Sequence, residues 1–238
     1  MLIVIPAFCN VKTLAYCLSR LEQTLIVNKY QIHVLYNHYP KTDIRQFKTI
    51  TGIDYNIYLH DSGGDFGLAK SFNLFLFSEW WANHIAGRGH EYVICLDPSD
   101  SVDRIGWEVN LLNIAKQTKA AMTVAWNDKL PYPTPDPYEI DHAGNHMESP
   151  VCYDLNWLFN IGGFAQTRPF YGGFEMAMQN KLGGRLKVYV PSVMTNKTGE
   201  RFEDATYKQW KKECLDKRYM PEQMSFQNWL DFKGLQVT

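Results

Sequence analysis

Two acids three residues apart, Asp97 and Asp100, stand just past the apolar run 92–96 in the segment Asp97-Pro98-Ser99-Asp100. Carboxylates that close repel each other unless water solvates them or a cation sits between them. An oxygen-only pair without thiols suits Mg2+ or Mn2+, which keep waters and bridge to phosphates. The same acids would equally cap a following helix. A second candidate is Asp61-Ser62-Gly63-Gly64-Asp65-Phe66-Gly67, which leads into a helical stripe. Its glycines let backbone N–H groups approach a ligand, and a helix N-terminus favours anions. An ordinary turn with an N-cap is the plainer alternative. A third joins Asn160-Ile161-Gly162-Gly163-Phe164 to Gly172-Gly173-Phe174-Glu175. Partial desolvation there would raise the pKa of Glu175 toward that of a general base. Alternatively, Glu175 is a first-turn acid complementing a helix dipole.

Strands that end at these motifs must position them. Residues 2–6, 32–36, 56–60 and 92–96 read as strands, the first ended by Pro6. Val11, Leu14, Leu18, Leu21 and Leu25 recur at helical spacing, as do Leu68, Phe72, Phe75 and Leu76 within 66–81. Ile105, Val109, Leu112 and Ala115 predict another helix, followed by a strand over 120–125. Such alternation implies right-handed crossovers and a mostly parallel sheet with ligands at its carboxyl ends. From 127 to 150 five prolines and five acids against one lysine read as a long irregular flap. Residues 186–190 read as a final strand closed by Pro191, and 205–230 carry helical spacing. The expected division is 1–126, then 127–204 with the flap 127–150, and a helical tail 205–238, all in one continuous domain.

Composition excludes much else. The 238 residues carry 24 Lys+Arg against 25 Asp+Glu, so a histone-like basic binder is ruled out, though not a local basic face. With 45% apolar residues the chain is not globally disordered, and folding at this length removes roughly 70% of its unfolded surface. No apolar run approaches the roughly 18 residues of a membrane helix, and no secretory signal is evident at the start. Five scattered cysteines without a CxxC pair read as reduced thiols in a cytoplasmic protein, or in host cytoplasm for a viral one. The sequon at Asn196 is then a chance match. Without GxGxxG or GxxxxGK[ST], nicotinamide and P-loop chemistry are disfavoured. Asp65-Phe66-Gly67 spells a kinase triplet, but no HRD-type loop accompanies it.

Taken together, Ile5-Pro6-Ala7-Phe8-Cys9-Asn10, Lys70-Ser71-Phe72-Asn73, Leu96-Asp97-Pro98-Ser99-Asp100, Gly162-Gly163-Phe164, Phe174-Glu175 and Tyr189-Val190-Pro191 resemble, in order, the motifs of family 2 glycosyltransferases of the GT-A fold. The resemblance covers about residues 1–195. It implies an α/β, Rossmann-like sheet flanked by helices, with 1–126 the nucleotide-sugar-binding half and 127–204 a smaller acceptor-side half, and inverting transfer from a nucleotide-sugar, foremost a UDP-sugar, with Mn2+ or Mg2+. It further implies Asp100 and Asp97 as metal ligands and Glu175 as catalytic base. Pro6, Phe8, Tyr36, Asp61, Gly64, Lys70, Asn73 and Asp97 would bind the donor, and Trp126, Gly162, Gly163 and Phe174 would stand on the acceptor side. The chain departs from the family pattern at Ser99, where that pattern has an acid, at Tyr36, often an Asp, and at Phe174, a Glu. Where a His often follows Pro191, the nearest polar residue is Asn196.

The acceptor is open at this level. Residues 181–218 hold ten Lys+Arg against five acids, which leaves −6 for the rest of a chain of net charge −1. That polarity fits a solvated helix face or a polyanionic acceptor, either a hydroxylated DNA base of the phage type or a glycan of capsule or lipopolysaccharide assembly. A sugar-1-phosphate nucleotidyltransferase, which should open on a glycine-rich loop, and a non-catalytic nucleotide-sugar-binding module are the rival classes.

Overall fold

The computed structural model describes residues 1–8, 11–26, 30–37, 57–61, 67–127, 139–141, 148–164, 178, 181–197, 209, 212–213 and 233–234. The described residues include nine strands, β1 (Leu2–Phe8), β2 (Gln31–Asn37), β3 (Ile57–Asp61), β4 (Tyr92–Cys95), β5 (Asp100–Val102), β6 (Met122–Asn127), β7 (Glu139–Asp141), β8 (Glu148–Asp154) and β9 (Lys187–Lys197). They form one sheet in the order β3-β2-β1-β4-β8-β6-β9-β5, with β7 also paired to β9. The described helices are α1 (Val11–Thr24), α2 (Gly67–Leu76), α3 (Glu79–His84), α4 (Trp107–Thr118) and α5 (Leu155–Asn160).

The apolar run of β1 is explained by its place between two parallel neighbours, β2 and β4. Leu2, Ile3, Val4 and Ile5 are all fully buried, because both faces of the strand are covered. Ile3 and Ile5 face a core with Leu14, Leu18 and Leu21 of α1 and Trp107 and Leu111 of α4. Leu2 and Val4 face a second core with Phe72 and Phe75 of α2, Trp81 of α3 and Trp157 of α5. Two layers of helices thus sandwich the sheet.

The expected parallel sheet is present over β1 to β4, with β6 and β9 also parallel to each other. The second half adds antiparallel pairs: β8 with β4 and β6, and β5 and β7 with β9. The sheet is therefore mixed. Two of these strands, β7 and the start of β8, lie inside the segment expected to be irregular. The single helix expected over 66–81 is two, because Ser78 caps a new one by accepting the Trp81 N–H at 3.1 Å. The last strand does not stop at Pro191. Its register with β6 jumps from Ala125↔Val190 to Trp126↔Met194, and this bulge accommodates a residue that cannot donate to the ladder. Gln209, Lys212, Glu213 and Lys233 of the expected tail are helical; the tail's other residues, except Gly234, lie outside those described.

Candidate functional site

The parallel strands bring their carboxyl ends to one edge. Pro6 and Phe8 finish β1, Tyr36 and Asn37 finish β2, Asp61 finishes β3, and Asp97 follows β4. The register sets Tyr36 beside Asp61, and the Leu96 N–H donates to the Val4 carbonyl at 3.0 Å. Helix α2 opens close after that edge and carries half-buried Lys70 in its first turn. A helix N-terminus favours an anion through the dipole of its aligned peptides.

The acid turn is built from its own residues. Asp97 Oδ1 accepts the Ser99 N–H at 2.8 Å and the Ser99 hydroxyl at 2.7 Å. The Asp100 N–H donates to the Asp97 carbonyl at 3.0 Å, and the Ser149 hydroxyl oxygen accepts the Asp97 N–H at 2.5 Å. Ser99, where the family pattern has an acid, thus supplies donors that hold Asp97 in place instead of a third charge. Asp100 is 1% exposed and opens β5, so it does not cap a helix; the residue before α4 is Gly106. Across the β5–β9 ladder Asp100 lies opposite Lys197 and Ser101 opposite Asn196, which brings the polar candidate beyond Pro191 beside the acid turn.

Both carboxylates act on the same spot beneath α1. The thiol of Cys17 is pushed up first by burial and then by the charges of Asp97 and Asp100, so it stays protonated. Cys17, Cys95 and Cys152 are free and buried. Among the described residues no group of three or more His, Cys, Asp and Glu side chains gathers as a metal site. As oxygen donors without a thiol, the two acids have the chemistry that suits Mg2+ or Mn2+, whose other positions go to water and phosphate, and not that of a closed thiolate or imidazole site.

Other expected donor residues fall differently. Tyr36 has no exposed surface and packs in the core beside α1, so its ring is not an open platform for a base. Asn73 bonds within the protein. Its Nδ2 donates to the Phe164 carbonyl at 2.8 Å and its Oδ1 accepts the Phe164 N–H at 2.7 Å, so its amide spans both groups of one peptide residue. Gly162 and Gly163 lie in that same turn at φ 79° and 83°, conformations that favour glycine. Trp126, next to last in β6, is 7% exposed with its ring edge-on to Tyr189, so it packs within the core. Gly64, Phe174 and Glu175 lie outside the described residues.

Sequence reasoning missed Ser149 and the clamp made by Asn73. Nothing in the sequence marks Ser149. An Asn inside a helix is a weak signal, since its side chain competes for backbone partners. A separate cleft of about 440 Å3, lined by Leu76, Trp81, Ile85, Leu155 and Phe159, opens at the amino end of β4, away from the acids.

No family model matches the sequence, and no curated protein matches it. Solved structures do. The mannosyltransferase PcManGT from Pyrobaculum calidifontis, in complex with GDP-Man and Mn2+, is similar at TM-score 0.63 and 13% identity, over 88% of this chain and 59% of its own. GalNAc-T7 with UDP, GalNAc and Mn2+ gives TM-score 0.60 and 13% identity over 82% and 43%. Residues 1–349 of S. aureus TarS with UDP give 0.58 and 10% over 82% and 58%. The chain thus spans about three fifths of these proteins or less. At such identities the likeness shows the fold, and the fold is that of GT-A glycosyltransferases.

Proposed function

We propose that this chain transfers a sugar from a nucleotide-sugar donor, a UDP-sugar foremost, to a hydroxyl acceptor, with inversion. The observation that carries this reading is the acid turn at the carboxyl end of β4, on a sheet shared with glycosyltransferases solved with UDP or GDP-Man and Mn2+. Asp100 and Asp97 would hold the cation, which when bound supplies Lewis-acid relief of charge on the departing diphosphate. Lys70 and the first turn of α2 would meet the phosphates, while Pro6, Phe8 and Asp61 would flank the nucleoside. Glu175 would accept the proton of the acceptor hydroxyl, which sets it on the far side of the anomeric carbon from the diphosphate. The 1–126 and 127–204 segments would be the donor and acceptor sides, followed in the chain by the tail 205–238.

Between the two acceptors, a glycan hydroxyl is favoured over a DNA base. Of the ten cations in 181–218, Lys187 is fully buried and Arg185 is bound to Asp154 at 2.7 Å, so neither is available to phosphates. No described helix is long and apolar enough to cross a membrane.

The test is titration of the chain with UDP, with and without Mn2+, followed by turnover across a panel of UDP- and GDP-sugars. UDP binding strengthened by Mn2+ and release of UDP from at least one donor are expected. Binding without turnover of any donor would leave only the binding-module alternative. Glu175→Gln should lower kcat by about 10²–10⁴-fold with donor affinity unchanged. A parallel loss of donor affinity would make Glu175 a binding residue.

A further inference from the structure

We infer that Asn73 is a positioning residue that fixes the acceptor-side turn 162–164 against the donor-side helix; this rests on the function proposed above. Lys70 and Asn73 are three positions apart on α2, hence on one face, about one turn from each other. Lys70 belongs to the turn nearest the phosphates, whereas Asn73 commits both ends of its amide to the backbone of Phe164, 91 positions away. Three further contacts hold the same turn. Phe72 stacks on the Phe164 ring at a centroid distance of 4.6 Å, with Tyr153 edge-on to it at 5.1 Å. The Gly163 N–H donates to the Leu158 carbonyl at 2.8 Å. A Cβ at Gly163 would stand 2.5 Å from Asn73 Oδ1 and 2.7 Å from Phe77 Cε2, so the turn sits directly on the helix. Apolar stacking alone would let the turn slide along α2. A two-point amide pair fixes distance and orientation together, the precision that reacting groups on separate elements need.

The experiment compares wild type, Asn73→Ala and Asn73→Asp in the full chain. Three quantities are read: the UDP Kd with Mn2+, kcat on a UDP-sugar that wild type turns over, and hydrogen exchange at the Phe164 amide. Asn73→Ala should keep the UDP Kd within about twofold, lose about 10- to 100-fold in kcat, and speed Phe164 exchange. Asn73→Asp retains an acceptor for the Phe164 N–H and should recover part of kcat and of the protection. It also carries the test should Asn73→Ala fail to fold, through the same split between kcat and Kd. UDP affinity falling in step with kcat would make Asn73 a donor ligand and overturn the inference. Wild-type kcat with fast Phe164 exchange would overturn it too, as would Asp performing no better than Ala. A wild type that neither binds UDP nor turns over a donor defeats the proposed function itself, a result visible without any variant.

Discussion

The acid turn at 97–100 is closed by residues that are neighbours in sequence, whereas the turn at 162–164 is closed by a side chain 91 positions upstream. In the first, Asp97 and Ser99 bond to each other, and Ser149 reaches in from β8. In the second, the turn's own backbone bonds lead back to α5, and its outward face is fixed by α2. Local closure keeps its shape wherever the surrounding elements move. Distant closure makes the shape of one element depend on the placement of another. The difference suits their proposed tasks, since a cation site needs internal precision and an acceptor turn needs a fixed relation to the donor.

The sharpest way to break the comparison is Asp100→Asn. It should cut Mn2+-dependent turnover by about 10²–10³-fold while thermal stability stays level or rises without metal. Near-wild-type activity in Mn2+ would remove the metal role from the locally closed turn. Next in size is Gly163→Ala, expected to cost about 3 kcal/mol in chemical denaturation, since a positive φ and a blocked Cβ add together. Gly162→Ala has the same sign of φ but nothing within 4 Å, so about 1 kcal/mol is expected. Equal costs would show that α2 does not press on the turn.

Acid tests another distant contact on the α2 side of the sheet. His33 Nδ1 and His60 Nε2 share a hydrogen bond at 2.9 Å, packed against Phe75 and Trp80. Burial lowers His33 from 6.5 to about 3, with His60 and His90 adding to it, and lowers His60 to about 4. Below pH 6.5 the unfolded chain therefore takes up protons that the folded chain refuses, and stability falls as pH drops toward 4. Denaturation at pH 4.5 should show roughly 3–5 kcal/mol less stability than at pH 7.5, and His33→Phe should shrink that gap. An unchanged gap would assign it to other groups. The smallest effect expected is Ser99→Ala, about 1 kcal/mol, because the backbone N–H of residue 99 still bonds Asp97 when the hydroxyl is gone.

What the sequence revealed divides along the same line. β1, β2, β4, α1 and α4 were legible because continuous apolar runs and helical stripes are local signals of burial. Asp97 and Asp100 stand out in the sequence because an acid pair past a buried strand is unusual by itself. The burial of Tyr36 was not legible because exposure depends on the helix packed above it, and the bonds of Asn73 were not because its partner lies 91 positions away. Strand β8 escaped because its pairing with β4 and β6 is purely tertiary and it contains Pro150. The extension of β9 escaped because a proline reads as a stop unless a bulge is foreseen.

The placement of β5 has a geometric consequence. β4 and β5 are separated by only four residues in the chain, yet β8, β6 and β9 lie between them in the sheet. Strands repeat at about 4.8 Å, so in a flat sheet β5 would lie roughly 19 Å from β4. The Asp100 N–H instead touches the Asp97 carbonyl at 3.0 Å, one residue past the strand's last neighbour. The end of β9 beyond its register shift must therefore reach back to the carboxyl end of β4, where it pairs with β5. Residues 96–99 are the short tether that holds β5 there, so the far end of β9 is leashed to the centre of the sheet.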